Sequence, residues 1–304
     1  MSALTPHLRQ GFIGMSPWTK ILLLAAIWLV FLLVGTVLAA LLAMPLFGLS
    51  LAGVYEAIGN PDAGSVGVLK YFQIVQTVFM FLAPAVLAAW LYSDDTRAYL
   101  WLKRRPAALT LLMAALTLGL AIPLMNVLTD LNASMQLPEG LQGLETRMQS
   151  MEEAAARLTD LFLTGHSWGD LAVNFLMIAI LPAISEEFLF RGVIQRLFTD
   201  MTRNAHLGIW IAAFVFSFIH FQFYGFLPRF LLGVYFGYLL VWSGSMWVPV
   251  TAHLVNNGMA VLYYHFNPAK MGESPLDKLG TEIGGNALVY ASVFATAASK
   301  SEVS

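Results

Sequence analysis

The chain has 304 residues, of which 58% are hydrophobic and only 11% charged, and its mean hydropathy is +0.71. A soluble domain carries roughly 25% charged residues, so the composition excludes an ordinary water-soluble globule and points to a lipid bilayer. A net charge of -2 with scattered basic residues gives no footing for nucleic acid, and the lack of cysteine excludes disulfides, thiolate metal sites and a cysteine nucleophile.

The N-terminal twenty residues are too long and too weakly basic for a signal peptide, so the first apolar run reads as an uncleaved span. A span needs about 20 mostly apolar residues. Runs of that kind fall at 21–45, 71–92, 107–129, 169–190, 206–224, 227–243 and 247–265, and a shorter one at 284–298 is either an eighth span or a surface helix. Only helices or closed barrels satisfy their backbone polar groups inside lipid, and runs this continuous mean helices. The expected fold is all-α: a polytopic integral membrane bundle of seven or eight transmembrane helices, with any site among the last four. Residues 1–168 form N-terminal membrane helices with an amphipathic loop helix, 169–266 a polar-bearing core, and 267–304 a tail.

Between the third and fourth spans lies the longest connection, 130–168. Within it Leu144, Met148, Met151, Ala155, Leu158 and Phe162 recur at helical spacing with charges opposite. That pattern suits an amphipathic helix resting on the membrane or, alternatively, a lid over a site. Orientation follows the basic residues of short loops. Arg9 and Lys20, then Arg97, Lys103, Arg104 and Arg105, then Arg191, Arg196 and Arg203 all fall on one side when the spans alternate, and that side is expected to be the cytoplasm. A multi-pass protein of the plasma membrane, N-terminus inside, is the resulting expectation.

Ionisable residues within spans are rare and usually functional, and here they gather in the last four. Glu186, Glu187 and Arg191 close the fourth span in EEFLFR; His220 lies late in the fifth; Arg229 starts the sixth; His253, Asn256 and Asn257 lie in the seventh. Glu187 and Arg191 are i and i+4 and share a helix face, whereas Glu186 is rotated by about 100°. His253 and Asn257 are likewise one turn apart. His220, about 14 residues or about 21 Å into its helix, sits deeper than the others unless that helix is tilted or starts outside the bilayer. Plainer readings stand beside these. The EE…R cluster suits snorkelling charges at a helix end, Arg229 an interfacial anchor, Asn256 packing, and His166, His206 and His265 interfacial or solvated sites.

The patterns EEFLFR (186–191), FSFIH (216–220) and HLVNN (253–257), in that order, resemble those of the CPBP (CAAX protease and bacteriocin-processing, Abi) family of intramembrane proteases, similar to the type II CAAX prenyl endopeptidases. The resemblance covers roughly 169–262. It implies a peptidase whose Glu186 and His220 activate a water and whose His253 and Asn257 stabilise the oxyanion. Glu187 and Arg191 would then support the site, although Arg191 is also a candidate substrate contact. Withdrawal from water makes a carboxylate a better proton acceptor, which suits a general base, and two donors one turn apart suit an oxyanion hole.

The implied substrate is a peptide or protein at the membrane, cut near the cytoplasmic face, with the bilayer as the other partner and no cofactor. A metal-dependent version stays open, since Glu186, His220 and His253 are a plausible ligand set for a divalent metal such as zinc. So do a non-catalytic scaffold of the same fold and a transporter using Glu186 as a proton carrier.

Overall fold

The structure, a computed structural model, describes residues 6–267, 278–281 and 285–303. Among these residues there is no β-strand, and helices carry the whole architecture. In chain order they are α1 (Pro6–Ile13), α2 (Pro17–Phe47), α3 (Leu51–Gly59), α4 (Val66–Tyr92), α5 (Thr96–Tyr99) and α6 (Ala108–Ala133). Then follow α7 (Gln142–Leu163), α8 (Trp168–Thr202), α9 (Ala205–Phe218), α10 (Phe226–Ser243), α11 (Trp247–Phe266) and α12 (Gly285–Val303).

Their ends are written in the sequence. Ser16 accepts from the Thr19 amide and Pro17 fills the first turn of α2, which stops on Gly48 in the left-handed conformation at φ 66°. Ser167 and Asp170 form a reciprocal capping box at the start of α8. The side chain of Asn204 accepts from two amides to open α9.

Among the described residues five helices are long and apolar enough to cross a membrane: α2, α4, α6, α8 and α10 with the turn before it (Phe223–Ser243). Leu22, Leu29 and Leu33 of α2 lie outward and exposed, as lipid-facing residues do. Three expectations are refined. First, α8 does not end at the EE…R cluster. It continues for 35 residues in all, which puts Glu186 and Glu187 near its middle. Second, α9 is only 14 residues long and stops at Phe218, short of a full crossing. Third, α11 has 20 residues but is not among the five, because His253, Asn256, Asn257, Tyr263, Tyr264 and His265 lower its hydropathy.

Helices α6, α8, α9, α10 and α11 pack around one another, with α9 and α10 as an antiparallel hairpin and the last turns of α8 laid against α9. The early helices flank them. Ala85, Ala88 and Ala89 of α4 meet Phe188, Leu189, Phe190 and Val193 of α8 in the largest buried cluster. Small residues matter here because lipid is as apolar as leucine, and close backbone approach is what holds membrane helices together. Gly233 and Gly237 of α10 show it: a Cβ at Gly233 would lie 3.1 Å from the Ala213 Cβ, and one at Gly237 would lie 2.8 Å from the Gln195 side-chain oxygen.

The C-terminal run, apart from residue 284, which lies outside the described residues, forms α12, and α12 packs along α6 and touches α10. The amphipathic helix of the long connection is α7. Its Leu158 and Phe162 pack on Leu69, Ile74, Met177 and Ile178. Its earlier Leu144 and Met151 remain exposed.

Candidate active site

The middle of α8 is shaped by one proline. Pro182 has no N–H to give to the Ile178 carbonyl four residues earlier, and the helix there widens into a π turn over Phe175–Ile180. A second π turn, Phe188–Ile194, follows the short α-helical stretch Leu181–Glu187. Such insertions re-aim side chains and recur at functional sites. The Ile178 oxygen does not go unpaired: Asn257 Nδ2 of α11 donates to it at 2.9 Å.

Glu187 is fully buried, and its Oε1 accepts two charge-bearing or polar donors, Arg191 Nη1 at 2.9 Å and His253 Nδ1 at 2.8 Å. Arg191 is held further by the Gly233 carbonyl, to which Nη2 donates at 3.0 Å, and by the Phe216 and Phe236 rings, whose centroids lie 4.5 and 5.4 Å from its guanidinium carbon. The i, i+4 ion pair of Glu187 and Arg191 is thus present. The structure adds what spacing within one helix does not show, that the same carboxylate reaches across to α11.

That contact fixes the histidine. With Nδ1–H given to a carboxylate, the other nitrogen of neutral His253 is an acceptor. His253 Nε2 receives Asn257 Nδ2 at 3.2 Å and lies 3.9 Å from Glu186 Oε2. Stacking on Phe236, 5.3 Å between centroids, holds the ring plane. Asn256 donates to Asn257 Oδ1 at 3.0 Å, so the second asparagine steadies the first.

His220 follows the end of α9, and Phe221 beside it takes a left-handed φ of 53° as the chain turns. Its Nδ1–H donates to the Phe216 carbonyl at 2.7 Å, one of the helix's last oxygens, which leaves Nε2 for the cavity. The depth conflict eases from the other side: Glu186 lies near the middle of α8 and not at its end, so it and His220, in the turn after α9, line one cavity.

Glu186, His220, His253, Asn256 and Asn257 line one cavity of about 790 Å³ between α6, α8, α10 and α11, and Ala155, Leu158, Thr159 and Phe162 of α7 close one side of it. Arg229, expected at the interface, lines the same cavity. Its position at the start of a span resembles an anchor in sequence; only the hairpin geometry turns it inward. His166 and His206 lie elsewhere, on the His265 carbonyl and the Tyr238 hydroxyl. Among the described residues no three His, Asp or Glu side chains form a group able to hold a metal ion. Glu186, His220 and His253 thus share a cavity without forming a ligand cluster.

Comparison with known proteins places these helices. Residues 168–259, the stretch from α8 into α11, match the family model described as type II CAAX prenyl endopeptidase Rce1-like. The resemblance drawn from the three motifs is the one this match shows, and with the apolar helices it marks an integral membrane protein. Over 86 residues the chain is 31% identical to the uncharacterized protein YpbD of Bacillus subtilis (strain 168), an alignment covering 27% of this chain and 41% of that protein. The chain therefore spans about two fifths of the length of the curated relative it matches. No solved structure matches it.

Proposed function

We propose that the chain is an intramembrane endopeptidase of the CAAX type, hydrolysing a peptide bond of a membrane-associated substrate near the cytoplasmic face. The observation that carries this reading is the buried Glu187–His253 hydrogen bond, which aims Nε2 towards Glu186 and Asn257 in a cavity that His220 also lines. A carboxylate orienting an imidazole towards a reacting group is an arrangement that hydrolases reach by convergence.

Glu186 takes a proton from water, helped by His220 Nε2, and the hydroxide attacks the scissile carbonyl. The proton then passes from Glu186 to the leaving amine as the C–N bond breaks. His253 takes up a second proton from solvent before the cycle and keeps it throughout, so its Nε2–H, together with Asn257 Nδ2, donates to the oxyanion between those steps. Glu187 and Arg191 are positioning residues that touch no substrate. This scheme draws no step through a metal.

Cleavage of membrane-derived peptides by the purified chain tests it. Glu186→Gln and His220→Ala should each lower kcat by about 10²- to 10⁴-fold, the usual share of general acid–base catalysis. Unchanged turnover in both variants rejects the assignment. Exhaustive chelation should leave activity intact; loss that added zinc restores would favour the metal-dependent alternative.

A further inference from the structure

The cavity holds one strongly charged group that this mechanism does not use. Arg229 stands in the first turn of α10, and its guanidinium is held from one side only: Nη2 donates to Gln222 Oε1 at 2.8 Å and Nη1 to the Gln222 carbonyl at 3.3 Å. A guanidinium carries five N–H donors, so most of the fork remains for something else. The segment beneath it is rigid. Asn132 of α6 donates to the Phe223 carbonyl at 2.9 Å and accepts from the Leu227 amide at 2.6 Å, while Ser217 Oγ donates to the Phe226 carbonyl at 2.7 Å.

The fork also feels a carboxylate of the chain's own. Glu152, on α7, is the strongest acidic influence on Arg229, ahead of Glu186. Its Oε2 is withdrawn from solvent and accepts no hydrogen bond. A buried carboxylate oxygen without a donor is costly, and the charge of Glu152 acts on the Arg229 fork. The two form no direct ion pair in this conformation. Glu152 thus sits near a carboxylate site without filling it.

We propose that Arg229 and Gln222 form a carboxylate-binding subsite in the candidate active site, and that Glu152 occupies its field until a substrate carboxylate displaces it. The ligand class is a peptide bearing a carboxylate within reach of the cleaved bond, whether an acidic side chain or a free C-terminus. The inference rests on the peptidase reading for its substrate class, but not for its binding chemistry.

The test uses the full chain in lipid nanodiscs and two pairs of fluorescent hydrophobic peptides. One pair differs only by a C-terminal carboxylate against an amide, the other by an internal Glu against Gln. Binding is measured in the Glu186→Gln protein and cleavage in the wild type. One acid member should bind roughly tenfold tighter than its neutral partner, as one added charge-assisted hydrogen bond gives, and the pair that shows the ratio identifies the carboxylate's source. Arg229→Gln should collapse that ratio towards one, Arg229→Lys should restore part of it, and Glu152→Gln should tighten the acid member alone.

A ratio of one in both pairs, or a ratio that survives Arg229→Gln, overturns the subsite. Should Arg229→Gln fail to fold, the Glu152→Gln result decides, and no change in the acid member's binding overturns the proposal. Cleavage without acid preference removes the subsite and leaves the peptidase reading intact. Acid-selective binding without any cleavage does the reverse.

Discussion

Glu187 is the residue on which the most depends, and it is not one that touches the reacting atoms. Its single oxygen Oε1 serves a guanidinium and an imidazole, both buried with it. Removing one partner of such a group leaves the others charged or polar without compensation, a loss of about 3–5 kcal/mol. Glu187→Gln should therefore lower the thermal unfolding temperature in detergent markedly. Glu187→Gln with Arg191→Met should regain much of that stability, because no buried charge is left unpaired, yet stay inactive because His253 has lost its orienting acceptor. Recovery of activity together with stability would show that Glu187 only braces α8. The sequence made the i, i+4 pair with Arg191 readable. The His253 contact was out of its reach, since nothing along the chain tells which of two neighbouring carboxylates faces a helix 66 residues away. Arg229 escaped for a similar reason: a cation at a span start has the same spacing whether it anchors or turns inward.

At the scale of elements, α8 is a long helix with a deliberate interruption. Pro182 releases the Ile178 carbonyl, and Asn257 takes it up, which ties the site's amide to the scaffold of another helix. Pro182→Ala returns an N–H to that position and removes a helix-breaking residue. The expected outcome is an unfolding temperature at or above that of the wild type with turnover lowered by at least an order of magnitude, since small displacements of a catalytic group are expensive. Equal turnover would show that the Asn257–Ile178 bond does not position the site. The helices themselves were legible as apolar runs, but their irregularities were not: the π turns of α8 leave hydropathy unchanged. The amphipathic stripe of α7 was equally visible, while its destination was not, because a face of Ala155, Leu158 and Phe162 suits lipid and a cavity wall alike. Only the packing of that face on Leu69 and Met177 separates the two.

For the whole molecule, the basic loops predict an orientation that chemistry can check directly, as the chain has no cysteine of its own. In intact cells a membrane-impermeant maleimide should label Glu56→Cys, between the first two spans, and spare Arg105→Cys, between the second and third, until the membrane is opened. The opposite pattern inverts the topology. The same scale exposes a consequence of the brevity of α9. Its Leu207, Trp210, Phe214 and Phe218 are exposed along one side, so the helix faces lipid, yet 14 residues rise only about 21 Å against a hydrocarbon layer of about 30 Å. Acyl chains beside it must thin, splay or leave a dimple filled from the aqueous side. On the peptidase reading water must reach the reacting atoms, and a dimple next to the His220 turn would supply a short route for it. Turnover should then depend on acyl length, rising in nanodiscs of short-chain lipid and falling in long-chain ones, with the thickness of the surrounding membrane setting the pace of the enzyme.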